Sequence, residues 1–176
     1  ILTDIGTGSN DQPLAMKIQS DGKILVPGIS NPNGNNDFTM IRYNSSGILD
    51  TTFGTNGKVI TDIGASSTDF AHDIQIKSDG KILLGGYSNV SGENDFVLVR
   101  YDANGKIDMS FGTNGKVITN VSANDFVYCM KIQTERKIIL AGASYSNNYD
   151  FSMIRYTPEG TLDTTFGSNG KVITDV

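Results

Sequence analysis

The stretch from Arg42 to Lys58 returns almost unchanged as Arg100 to Lys116 and again as Arg155 to Lys171, with Arg, Tyr, Gly, Asp, Phe, Gly, Asn, Gly and Lys in the same places each time. A turn of this length copied three times with its glycines and its charged pair intact means that the chain is an array of one supersecondary unit, which cannot bury its apolar surface except against its own copies. The segments beginning at Ile1, Val59, Val117 and Val172 align, so the step is 58 residues twice and then 55. Ile1 to Gly6 copies Val59 to Gly64, and the sequence therefore reads as an excised or processed piece that starts inside a repeat.

Each step holds four short apolar runs, which in the second copy are Val59 to Ile63, Asp73 to Lys77, Lys81 to Tyr87 and Asp95 to Tyr101. All are strand-length, rich in β-branched residues and bounded by Gly, Asn, Asp or Ser, and the spacing leaves no room for a helix of useful length. Asp21-Gly22 and Asp79-Gly80 separate the second run from the third, a pairing typical of two-residue type I′ hairpins in which both central residues take positive φ. The third copy has Glu135-Arg136 there, so that turn is expected to change type or loosen. Gly28, Gly86 and Gly142 recur within the next strand and mark a close backbone approach, expected toward the crowded centre of a radial array.

Runs such as Ile24-Leu25-Val26 and Ile82-Leu83-Leu84 are apolar on both faces, as in strands covered on each side by neighbouring sheets. An all-β fold follows: β-propeller blades of four antiparallel strands, three of them complete, plus one extra outer strand. Residues 1–176 form one partial ring, with 1–13 the outer strand of a preceding blade and its connection, 14–63 the first blade, 72–121 the second and 127–176 the third. Asp73 to Lys77 is expected innermost and Val117 to Val121 outermost in the second blade. The inner hairpin and the long repeated turn then share one face, and the connections that vary in length share the other, where binding usually sits.

Gln-x-Asp-Gly-Lys-Ile-Leu, then Asp-Phe-x-x-x-Arg-Tyr, then Gly-x-x-Asp-x-x-Phe-Gly-x-Asn-Gly-Lys, carried in the first copy by Asp21, Gly22, Lys23, Asp37, Phe38, Arg42, Tyr43, Gly47, Asp50, Phe53, Gly54 and Gly57, resembles the delta-60 repeat, a bacterial β-propeller repeat family of unknown function. The resemblance covers nearly the whole chain and departs at Glu135-Arg136. It implies a propeller from large secreted or surface proteins of bacteria, and no known catalytic residues.

Arg42, Arg100 and Arg155 lie on apolar strands and need acceptors, and Asp50, Asp108 and Asp163 recur in step with them. Identical pairs in every blade suit an ion pair tying each strand to its turn better than a single anion site. Asp102 to Asp108 resembles a calcium loop at a glance, but Asn44 and Thr157 replace its first aspartate, and a tight turn explains it better. His72, the sole histidine, has Leu14 and Tyr128 as counterparts and no second histidine for a metal site or triad. Cys129 is alone, so it makes no intramolecular disulfide. No metal ligand set or cofactor motif is present.

A net charge of −5 with 14 Lys and Arg spread at repeat spacing argues against nucleic acid, and no apolar run is long enough for membrane insertion. The expected role is a non-catalytic, secreted or surface-displayed bacterial module for protein or glycan binding, with ligand residues on the variable face: Asp11, Asp69, Asp125, Asn35, Asn89, Tyr145 and Tyr149. The alternatives are a carbohydrate-active hydrolase or lyase using the three aspartates, and a structural spacer. Three blades are too few to close a ring, so a homodimer completing six blades, or inclusion in a larger chain, is expected.

Overall fold

A computed structural model describes residues 2 to 175, which contain thirteen strands in three sheets and no helix. The first sheet has β1 (Asp11–Pro13), β2 (Lys17–Ile18), β3 (Ile24–Ser30), β4 (Asp37–Tyr43) and β5 (Lys58–Thr61). The second has β6 (Asp69–Ile76), β7 (Ile82–Ser88), β8 (Asp95–Tyr101) and β9 (Lys116–Thr119), and the third β10 (Asn124–Ile132), β11 (Ile138–Tyr145), β12 (Tyr149–Tyr156) and β13 (Lys171–Thr174). Every pairing is antiparallel between strands adjacent in the chain, except that β1 and β2 both pair with β3 as two halves of one inner strand. These are propeller blades.

The inner strands begin earlier than the apolar runs suggest, β6 at Asp69 rather than Asp73. A β-bulge hides the first half: the register passes from Ala71↔Gly86 to Asp73↔Gly85, leaving His72 unpaired, and from Val127↔Gly142 to Cys129↔Ala141, leaving Tyr128 unpaired. In the first sheet the same irregularity widens into a break, where the amides of Leu14 and Ala15 both donate to Pro27 O. One extra residue flips the alternation of side chains, so Phe70 and Phe126 do not continue the pattern of the residues after the bulge.

The recurrent strand glycine belongs to this bulge. A Cβ on Gly28, Gly86 or Gly142 would lie 2.0, 1.8 or 1.7 Å from the carbonyl oxygen of Gln12, Phe70 or Phe126, each in the blade's own inner strand. The close approach expected toward the ring centre is thus made within each sheet.

The hairpins are also of another type than expected. Asp21 and Asp79 keep negative φ and only Gly22 and Gly80 are positive, at 81° each. The amide of Gly22 donates to Gln19 O and that of Gln19 to Lys23 O, so the connection is a three-residue loop with a type I turn and a bulge at glycine. The third copy does not loosen: Arg136 donates to Gln133 O and Gln133 to Lys137 O in the same pattern, with Arg136 alone held at φ 62°. Only one position of the turn needs glycine, and Glu135 sits at the other.

The segment expected as an extra outer strand, Ile1 to Ile5, makes no strand over residues 2 to 5, and Ile1 lies outside the described residues, as does Val176 at the far end of the last outer run. Its place is nonetheless that of the ends of β5 and β9 and the residues just after them. Thr3 Oγ1 receives the Tyr43 hydroxyl at 2.8 Å as Thr61 receives Tyr101 and Thr119 receives Tyr156. Ile5 N donates to Asp11 as Ile63 N donates to Asp69.

Two joints of one design hold the blades together. The forward face of the first blade, with Leu25, Phe38, Met40 and Phe53, packs on the rear face of the second, with Ile74, Ile82, Leu84 and Val99. Leu83, Phe96, Leu98 and Phe111 meet Met130, Ile138, Leu140 and Ile154 in the same way. At each joint the arginine completes the contact. Arg42 Nε donates to Asp50 at 2.9 Å, its Nη1 reaches across to Ala103 O at 2.8 Å, and its guanidinium stacks over Phe53 at 4.4 Å. Arg100 repeats this with Asp108, Pro158 O and Phe111. Arg155 pairs with Asp163 and Phe166, and among the described residues no carbonyl of a following blade meets it. Lys23, Lys81 and Lys137 of the inner hairpins join the same aspartates, which places hairpin and long turn on one face.

Two stability outcomes follow. Arg136→Gly should stabilise the protein by up to about 1 kcal/mol, the cost of a left-handed non-glycine residue less the entropy of glycine, read as a higher denaturation midpoint; a lower midpoint would refute the strain at this turn. Arg100→Leu leaves Asp108 to Lys81 alone and the Pro158 carbonyl unbonded, and should cost about 2 kcal/mol, seen as a fall of roughly 4–8 °C in Tm; an unchanged Tm would show that the pair does not hold the joint.

Candidate functional site

The face opposite the hairpins carries the β3–β4, β7–β8 and β11–β12 connections and the crossings from one blade to the next. Its recurrent polar residues are consumed by the loops themselves. Asp69 is fully buried; its carboxylate accepts from Ile63 N at 2.9 Å, from Ser67 Oγ at 2.7 Å and from Ser88 Oγ at 2.5 Å. Burial raises its pKa, against those hydrogen bonds. Asp125 is likewise fully buried, accepts from Val121 N and Ser122 N, and is raised by burial. Asp11 is exposed but accepts from Ser30, Ile5 and Ser9, and these bonds outweigh desolvation to lower its pKa. The three aspartates pin each crossing to the blade it enters, and none presents a free carboxylate for general acid or base work.

The two asparagines are used similarly. Asn89 Oδ1 accepts from Thr68 N at 2.7 Å, and Asn35 Nδ2 donates to Ser67 O at 2.5 Å across the blade joint. The loop at Asp102 is a turn closed by its own carboxylate, which accepts from Asn104 N and Lys106 N. Asp50 is drawn down to about 2, first by Thr52 and then by Arg42 and Lys23, and Asp108 is drawn down by Lys81 and Ser110 as well as Arg100. Both stay ionised and committed to the joint.

Tyr145 and Tyr149 remain. They face each other across the β11–β12 hairpin with ring centroids 5.0 Å apart and are 37% and 60% exposed. They end a run of aromatic contacts through two blades: Phe70 stacks on Tyr87 at 4.9 Å, Tyr87 meets the edge of Phe126 at 4.9 Å, and Phe126 meets Tyr149 at 5.9 Å. His72, the bulge residue of β6, stacks on Tyr87 at 5.3 Å and lies against Tyr128, its own counterpart in the next blade. Its buried Nε2 has no hydrogen-bond partner, and burial lowers its pKa, so at neutral pH it is an uncharged ring with an unused nitrogen. The corresponding positions in the first blade are Gln12, Leu14 and Ile29, so the aromatic surface belongs to the second and third blades alone. Phe70 and Phe126 fall in stretches that read as connections between blades, Tyr87 on a strand run and Tyr128 at the start of a blade, and His72 reads as a lone histidine, so the sequence does not bring the five together; the signal is their departure from the first copy.

Among the described residues one set of carboxylates is close enough to share a cation. Asp37, Asp62 and Asp69 converge at the first blade joint with oxygens within 4.8 Å of one another. Burial, then the charges of Asp62 and Asp69, push Asp37 up to about 6. At the second joint Asn120 stands where Asp62 stands at the first, and its Nδ2 donates to Asp95 at 3.0 Å. The position accepts a hydrogen-bond donor as readily as an anion.

A family model described as a domain of unknown function (DUF5122) β-propeller matches residues 19–53, 77–111 and 134–166, more than half of the chain. Each matched stretch runs from the inner hairpin to the phenylalanine of the long turn, the part that forms the blade joint. A search of curated proteins finds no match.

Asp37 holds its proton more tightly in the folded chain than in the unfolded one, so its burial costs stability as pH rises from about 4 through about 6. Asp62→Asn, which copies the second joint, should raise stability on the order of 1 kcal/mol at pH 7 and Tm by roughly 2–4 °C, with no gain at pH 4. A gain of equal size at both pH values would show that charge repulsion is not the cause.

Proposed function

We propose that this chain, which belongs to the domain of unknown function (DUF5122) β-propeller family, is a non-catalytic binding module whose second and third blades take carbohydrate on the aromatic rim at Tyr145 and Tyr149. The observation that carries the reading is the rim itself: exposed rings on a rigid sheet, backed by Tyr87 and Phe126, with the unused Nε2 of His72 in the same run of rings. Aromatic faces carry negative charge density and accept the C–H groups of a pyranose face, while Tyr hydroxyls and loop amides supply hydrogen bonds to its hydroxyls. A sheet-mounted site also loses little entropy on binding.

Hydrolysis or elimination is disfavoured by the state of Asp11, Asp69 and Asp125, which are engaged by backbone and serine donors. A secreted or surface-displayed bacterial setting accords with the delta-60 resemblance and with a loop surface rich in Asn and Ser.

A glycan array followed by calorimetric titration of its strongest ligand tests the reading. Tyr149→Ala and Tyr145→Ala should each weaken binding roughly five- to tenfold, the worth of one aromatic contact, without moving Tm. Absence of binding across the array, or binding indifferent to both variants, would overturn it. So would release of sugar fragments that vanishes with Asp69→Asn in folded protein.

A further inference from the structure

The third inner hairpin holds a large cation where the other two copies hold glycine. Arg136 stands at φ 62° in the place of Gly22 and Gly80, which are at 81° each. A left-handed backbone is strained for any residue with a Cβ, and strain of this kind gathers at ligand clamps. The side chain is exposed, and among the described residues its guanidinium meets no carboxylate; the neighbouring Glu135 pairs with Lys137 at 3.5 Å instead.

Arg136 lines a cleft of about 540 Å³ between the inner hairpins of the second and third blades, a volume within the roughly 300–1,000 Å³ of small-molecule sites. Both walls come from blades whose four strands are all among the described residues. Across from Arg136 is Lys77, whose side chain is 13% exposed and lies 3.7 Å from Asp79. The other oxygen of Asp79 accepts from Lys81 N at 3.1 Å, which ties this carboxylate to its own turn. Two cations and one carboxylate leave the lining with a single net positive charge, on a chain whose net charge is −5. The arrangement is particular to this joint, because Gln19 and Gly80 occupy the places of Lys77 and Arg136 at the first one.

We propose that this cleft binds a sugar acid, a single carboxylate carried on a hydroxyl-bearing ring. The guanidinium offers two parallel N–H donors to a carboxylate, and Lys77 adds charge from the other wall. Ser78, Gln133 and Thr134, all exposed on the lining, hydrogen-bond the ring hydroxyls, and Ile76 and Ile132 give the ring an apolar surface. Asp79 limits the charge that is accepted: a monoanion balances the lining, whereas a phosphate ester brings a second negative charge beside a carboxylate. The site lies on the hairpin face, opposite the aromatic rim, and does not rest on the reading of that rim.

Calorimetry and amide NMR with sodium glucuronate as the probe test this. Glucuronate at millimolar concentration should shift the amides of Ser78, Thr134 and Arg136, and glucose or the methyl ester of glucuronate, both uncharged, should not. Arg136→Gly and Lys77→Gln, which copy the residues of the other repeats, should each weaken binding about tenfold, the worth of one charge-assisted hydrogen bond. Tyr149→Ala should leave it unchanged. Retained cooperative unfolding of both variants separates lost binding from lost structure, and Lys77→Gln carries the test if Arg136→Gly disturbs its turn. No amide shift in the cleft, glucose binding as well as glucuronate, or affinity indifferent to both substitutions would each overturn the proposal. Phosphate or acetate binding as tightly as glucuronate would show that the cleft takes a bare anion, and the sugar-acid assignment would fall.

Discussion

The structure depends on what a buried guanidinium requires. Arg42 and Arg100 are almost wholly removed from water, and a charge in that position is tolerated only when its donors are met. The aspartate eight residues on meets one donor, the carbonyl of the next blade meets another, and a phenylalanine ring covers the plane. Because those acceptors come from the strand's own turn and from the following repeat, satisfying the arginine fixes the long turn and the angle between blades in one step. The repeat is therefore constrained as a pair of blades.

The apolar joint adds area to this polar frame. The second sheet is buried on both faces, which a four-stranded sheet of this size needs in order to be stable. Within residues 2 to 175 the first and third sheets have a neighbour on one face only, and the contrast between Phe96 and Phe151 at one repeat position measures what a neighbour contributes. The same side chain is core in one copy and surface in another, so composition could not have told them apart.

The opposite face follows a different rule. Its aspartates hold the crossings in register by accepting several donors each, and this frees the sequence around them to vary. Variation in the second and third blades has taken the form of aromatic residues, and the bulge places His72 and Tyr128 beside them. The joints must be alike for the array to form, whereas the rim need not be, and for that reason a site would be built there.

The sequence alone determined the all-β fold, the four strands per blade, their order outward and the pairing of Arg42, Arg100 and Arg155 with Asp50, Asp108 and Asp163. These depend on contacts within one repeat, and three copies wrote them three times. The type of the Asp21-Gly22 turn, the strand halves beginning at Asp69 and Asn124, the burial of Asp69 and Asp125, and the meeting of Tyr87 with Phe126 were decided only by the tertiary structure. All but the turn, which is settled by the bonds of Gln19 with Gly22 and Lys23, depend on residues distant in the chain. A bulge is a mismatch between two strands, and burial is a property of what a neighbouring blade covers, so neither is written in the local alternation of apolar and polar residues.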